Sequence, residues 1–447
     1  MKKYFLLACA LGAFGVADAA TVQFSSPDKK LVVTVADDGG RPVYRVDYGE
    51  TTFLAPSPLG LLTNIGDFSQ GMALQESSFA VSPVSGHYEL PTIKRSKVDV
   101  QATKAVCPFY KDGKHIFDVV FHVSDHDVAF KYKVYPQGNT LCCVVKEETT
   151  GFVLPQGTTT FLCPQSGPMG GFARTSPSYE TGYTVDNEMG KNGWGHGYTF
   201  PCLFRTGDKG WVLISETGVD SRYCASRLMG KDGGLYTIGF PQEGEYNGNG
   251  TTSPGISLPG ETPWRTITVG QTLAPIVETT IPYDVVEPLY EPSRRYVYGR
   301  GTWSWIIAGD NSMNYEDQKR YVDFAADMGY ESVLVDAWWD SRVGHERIAE
   351  LARYAAAKGV GLYLWYNSNG YWNDAPQGPR NRMHNTIARH RAMKWMKDTG
   401  IRGIKVDFLG SDKQQPLQLY EDLLEDAHDY GFMVISHACH LPPRLAG

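Results

Sequence analysis

The chain has 447 residues, enough for two or three domains, and an ordinary globular composition apart from its rings: 10 Trp, 26 Tyr and 19 Phe. A formal net charge of −7 leaves no basic footprint and argues against nucleic acid as a partner. Beyond the N-terminus no stretch reaches the roughly 20 apolar residues of a bilayer crossing, so no membrane span is expected.

Lys2-Lys3, an apolar run from Tyr4 to Val16 and Ala17-Asp18-Ala19 read as a secretory signal peptide over residues 1–19. The expected location is therefore periplasmic or secreted. Seven cysteines follow the leader: Cys107, Cys142, Cys143, Cys163, Cys202, Cys224 and Cys439. None forms a C-x-x-C pair, which argues against structural zinc, and an odd number leaves at least one free thiol.

Residues 20–290 carry short β runs punctuated by Gly, Pro, Asp and Asn. Lys30 to Val35, Phe117 to Val123 and Val128 to Val134 are examples. In the third, Val128, Phe130, Tyr132 and Val134 alternate with Lys131 and Lys133. The turn-rich Ser124-Asp125-His126-Asp127 predicts a hairpin between the last two runs. Strands at this spacing without helices predict an antiparallel β-sandwich.

Residues 291–447 switch period. Strands are predicted at Arg300 to Trp305, Ser332 to Asp336, Val360 to Asn367, Ile404 to Phe408 and Met433 to His437. Helices are predicted at Tyr315 to Met328, Glu346 to Lys358, Arg380 to Thr399 and Pro416 to Tyr430, the first with an apolar face of Tyr321, Phe324, Ala325 and Met328. Regular βα alternation implies right-handed units and a parallel sheet. Functional-looking residues at every strand end favour a (β/α)8 barrel over a doubly wound sheet, and no G-x-G-x-x-G supports a dinucleotide. Only five of eight strands precede Gly447, so a truncated barrel is expected.

Gly403-Ile404-Lys405-Val406-Asp407-Phe408 delivers a carboxylate to a strand end. Glycosidic cleavage uses two carboxyl groups, one as nucleophile or base and one as proton donor, and Asp407 is the candidate for the first. Lys405, two residues back, shares its face and would hold it ionised. Candidate substrate-binding residues are Trp303, Trp305, Asp336, Trp338, Trp365, Asn367, Lys405 and His437: carboxylate and amide groups for hydroxyls, rings for a pyranose face. Glu180, in a polar loop of the β half, reads either as a surface carboxylate or as one ligand of a hard cation such as Ca2+.

Several strings together resemble glycoside hydrolase family 97: Pro201-Cys202-Leu203-Phe204, Trp211 to Val219, Arg300 to Trp305, Leu362 to Asn367, Ile404 to Phe408 and His437 to Pro442. The resemblance implies a β-sandwich ahead of a catalytic barrel and an oligosaccharide or glycoside as substrate. It also implies calcium bound through glutamates, with Glu180 as the local match. Because Asp407 stands where retaining members carry their aspartate nucleophile, it implies a retaining enzyme that cleaves terminal α-galactosides, or α-glucosides. The acid/base glutamate then falls on strands beyond Gly447, and the chain alone is expected to be inactive. Two alternatives stay open: an inverting calcium-dependent α-glucosidase and a carbohydrate-binding protein without catalysis.

Overall fold

The computed structural model describes residues 19–90, 93–288 and 296–439. The predicted signal peptide, apart from Ala19, lies outside the described residues.

The N-terminal part is a large antiparallel β domain whose main sheet has 18 strands. The predicted hairpin forms: Lys114–Val123 pairs with Asp127–Val134 from Phe117↔Val134 to Val123↔Val128, and Ser124 donates its amide to Asp127 O. Alternation decides which side is dry, with Val128, Phe130, Tyr132 and Val134 fully buried. They join Phe53, Phe117, Phe121, Phe204, Ile214 and Ile267 in one core. Arg265 is buried within this domain and is paired with Glu148 (2.7 Å) and Glu216, as a buried charge must be.

The C-terminal part is a five-stranded parallel sheet. Its strands are β1 (Gly301–Trp303), β2 (Ser332–Val335), β3 (Gly361–Asn367), β4 (Gly403–Asp407) and β5 (Met433–Ser436). They lie in chain order, each hydrogen-bonded in parallel to the next. Helices α1 (Tyr315–Asp327), α2 (His345–Ala357), α3 (Thr386–Thr399) and α4 (Gln414–Tyr430) connect them. Val333, Val335, Leu362, Leu364, Ile404 and Val406 pack with helix residues such as Val322, Leu351, Met393 and Leu423. The intervening residues of the same strands face the opposite, concave side. Five strands in this order form a parallel half-barrel.

Three details depart from the sequence reading. α3 begins at Thr386 rather than near Arg380, because the Asn385 side chain caps it by accepting from Ala388 N at 3.0 Å. Trp305 leaves β1 and opens a one-turn helix, Trp305–Ala308. On α1 the buried residues are Gln318, Val322 and Ala325, whereas Phe324 and Met328 are about half exposed. Gln318 turns inward because its Nε2 donates to Ser304 Oγ (2.9 Å) and Ser312 O (2.8 Å).

The cysteines Cys107, Cys142, Cys143, Cys163, Cys202, Cys224 and Cys439 are free thiols, five of them buried. Among the described residues no helix is long and apolar enough to cross a membrane.

Candidate active site

Period-two alternation puts Lys405 and Asp407 on the concave side of β4, at its C-terminal end. The Asp407 side chain is 6 % exposed. Its Oδ1 accepts from Phe408 N (2.7 Å) and faces His437 Nδ1 (3.1 Å). Its Oδ2 accepts from Trp365 Nε1 (2.9 Å) and lies 3.7 Å from Lys405 Nζ. Burial acts to raise the carboxyl pKa, but His437, Lys405 and Trp365 outweigh it and hold Asp407 below the ordinary carboxylate range. A buried group that stays ionised with this many donors is an organised anion.

His437, directly after β5, spans two carboxylates, with Nδ1 toward Asp407 and Nε2 2.9 Å from Glu180 Oε1. The hydrogen bonds to Asp407 and Glu180 raise its pKa to about 9 against the effect of burial. At neutral pH both ring nitrogens therefore carry protons. Lys405 Nζ sits 3.3 Å from Asp336 Oδ2 and 4.1 Å from the centre of the Trp303 ring, so one ammonium ties β4 to β2 and β1.

The aromatic residues divide by role. Trp303 stacks on Trp305, centroids 5.9 Å apart, and meets His437 edge-on. Trp303 Nε1 is buried and has no hydrogen-bond partner among the described residues. Asp310 accepts from Trp305 Nε1 and Trp338 Nε1, each at 3.0 Å, so one carboxylate sets two indoles. No periodic signal in the sequence marks Asp310, which sits in the short turn Gly309–Ser312. A hollow of about 940 Å³ runs along the concave face from the N-terminal ends of the strands, at Gly301, Ser332, Gly361 and Met433, up to Trp303, Lys405 and His437; Asp407 is not part of its lining.

Two sequence candidates are placed differently. Trp365 is 1 % exposed; it contributes its N–H to Asp407 and offers no open ring face. Asn367 is fully buried. Its amide donates to Ala375 O and Gln377 O, and its Oδ1 accepts from Asn369 N. Asn367 shapes the loop after β3 and keeps no polar atom for a ligand.

The calcium expectation meets a chemical obstacle. Calcium takes roughly six to eight oxygen ligands, yet among the described residues no group of three or more His, Cys, Asp or Glu gathers to hold a metal. Glu180 is a single carboxylate, and its Oε1 faces a cationic imidazole. These residues do not by themselves fit the ion.

A carboxylate kept ionised at the strand ends of a parallel half-barrel, walled by indoles, is the layout of a carbohydrate-active α/β protein. Residues 24–288 match the family model described as "Glycosyl-hydrolase 97 N-terminal" and residues 296–446 the one described as "Glycoside hydrolase 97". The chain belongs to glycoside hydrolase family 97.

It is 28 % identical over 435 residues to a probable retaining α-galactosidase of Streptomyces bingchenggensis, covering 94 % of this chain and 62 % of that protein. It therefore spans less than two thirds of that relative. The crystal structure of a β-arabinopyranosidase is 54 % identical, with a TM-score of 0.91, over 95 % of this chain and 68 % of that one. A glycoside hydrolase family 97 enzyme from Pseudoalteromonas sp. strain K8, solved with panose, shares the fold: TM-score 0.73, 18 % identity, 93 % of this chain and 66 % of that one.

Proposed function

We propose that this chain is the β domain and the first five barrel strands of a (β/α)8 glycosidase that works with retention, with Asp407 as nucleophile. The observation that carries this reading is the Asp407 carboxylate held ionised under burial by His437, Lys405, Trp365 and its neighbour's amide. In such a double displacement one Asp407 oxygen attacks the anomeric carbon and forms a glycosyl ester, while the aglycone leaves with a proton from a general acid. Water then cleaves the ester, returning the proton to that acid and freeing the carboxylate. Only 62 % of the Streptomyces relative is matched, and we propose that the general acid resides in the unmatched remainder.

For substrate we propose a pyranoside of galacto configuration. A β-L-arabinopyranoside presents the same ring hydroxyls as an α-D-galactoside and lacks only the C6 hydroxymethyl. Identity of 54 % to the β-arabinopyranosidase against 28 % to the α-galactosidase relative favours the pentoside. Lys405 and Asp336 would bind hydroxyls, and Trp303, Trp305 and Trp338 would wall the ring. A calcium ion is proposed only with oxygens from beyond the described residues, Glu180 lending one, and neither displacement step passes through it. Export to the periplasm or medium is proposed on the leader-like residues 1–19 alone.

The test compares hydrolysis of nitrophenyl β-L-arabinopyranoside and α-D-galactoside by protein carrying the barrel remainder, with the product anomer followed by NMR. Retention and a higher kcat/KM on the pentoside are expected. Asp407→Asn should cut turnover about 10³-fold or more; an inverted product, or turnover that survives the substitution, defeats the reading.

A further inference from the structure

The loop after β4 is packed against the β domain by groups that the double displacement does not use. Asp412, five residues beyond Asp407, is 1 % exposed. Its Oδ2 is 3.0 Å from the Arg227 guanidinium, and its Oδ1 accepts from Tyr179 Oη at 2.7 Å. Arg227, also 1 % exposed, pairs in turn with the fully buried Glu245. Glu245 Oε2 accepts from Asp412 N (2.9 Å) and Ser411 Oγ (3.1 Å).

Backbone shape supports the same junction. Tyr179 and Phe408 both adopt left-handed φ, +63° and +65°, which costs a non-glycine residue of order 1 kcal/mol or more and persists only where the surroundings enforce it. A Cβ on Gly410 would lie 2.7 Å from Thr175 O and 3.0 Å from Pro177 O, so the loop after β4 and the 175–180 strap touch backbone to backbone.

The residue after Tyr179 is Glu180, whose carboxylate meets His437. We propose that Arg227, Asp412 and Tyr179 form a cross-domain clasp that positions Glu180 against His437, and through His437 orients the Asp407 carboxylate. Tyr179 and Asp412 make no hydrogen bond or ion pair to Asp407 or His437 among the described residues; they are positioning residues. The consequence for turnover rests on the proposed glycosidase reading, whereas the geometric claim does not.

Tyr179→Phe tests it, because it removes one oxygen and leaves the ring. The first readout is the imidazole Nε2–H resonance of His437 in protein labelled with 15N-histidine. The clasp predicts that this resonance shifts or exchanges on the order of tenfold faster in Y179F, although Tyr179 does not hydrogen-bond the imidazole. The second is a double-mutant cycle on kcat/KM with Glu180→Gln. Y179F should lower kcat/KM on the order of tenfold in the wild-type background and have little further effect beside E180Q.

A His437 resonance unchanged in Y179F overturns the clasp, as do fully additive effects in the cycle. A Y179F-sensitive resonance in a protein without hydrolytic activity upholds the clasp and removes the glycosidase reading.

Discussion

Lys405→Met removes the ammonium between two buried carboxylates while keeping the side-chain volume. Lys405 Nζ lies 3.3 Å from Asp336 Oδ2 and 3.7 Å from Asp407 Oδ2, with side chains 3 %, 5 % and 6 % exposed. At an effective dielectric near 20 each attraction is roughly 4–5 kcal/mol before the cost of burying the ammonium. Breaking a buried pair by deleting one partner costs about 3–5 kcal/mol; among the described residues Asp336 would lose its cation, whereas Asp407 would keep His437 at 3.1 Å. Urea denaturation of wild type and K405M at pH 7 should therefore differ by about 3–5 kcal/mol. The gap should narrow as pH falls, because Asp407 without Lys405 takes up its proton more readily than in the wild type. A difference under about 1 kcal/mol at pH 7, or one that does not change with pH, would show that Lys405 is not what balances Asp407 and Asp336.

Two further outcomes follow from the site. His437 has its folded-state pKa raised to about 9 from an ordinary 6.5, so its pairing stabilises the fold fully below about pH 6.5 and loses that contribution as pH rises toward 9. Thermal melts of wild type and His437→Gln should accordingly converge between those values, and parallel curves across that range would contradict the assignment. Gly410→Ala places a Cβ 2.7 Å and 3.0 Å from two backbone carbonyl oxygens, neither of which can rotate away. It should cost about 1–3 kcal/mol by overpacking in equilibrium unfolding, and a neutral result would show that the strap and the loop after β4 are not in contact.

Much of the C-terminal architecture was legible because its periods are strong. A two-residue period on β4 puts Lys405 and Asp407 on one side, and the observed ion pair at 3.7 Å follows from it. Helix ends marked by Gly400 and Gly431 in the left-handed region were legible for the same local reason. The inward face of α1 was misjudged because Gln318, a polar residue, is buried by hydrogen bonds that bring Ser304 and Ser312 to it.

The site was legible only in part, since strand-end position does not determine what a side chain finds there. Asn367 satisfies its own loop and Trp365 spends its N–H on Asp407. Contacts between distant segments left no trace in local pattern. Tyr179 and Asp412 are 233 positions apart, and Glu180 meets His437 only once the two parts of the chain have docked. Asp310, which sets two indoles from a short turn, had no periodic neighbour to mark it.

The most direct test labels the protein, with the barrel remainder present, using a 5-fluoro glycosyl fluoride of galacto configuration and maps the adduct by peptide mass spectrometry. A covalent glycosyl ester on Asp407 is expected, and the same treatment of Asp407→Asn should give none. Labelling of a different carboxylate, or turnover of the reagent without any adduct and with an inverted product, would contradict a nucleophilic role for Asp407.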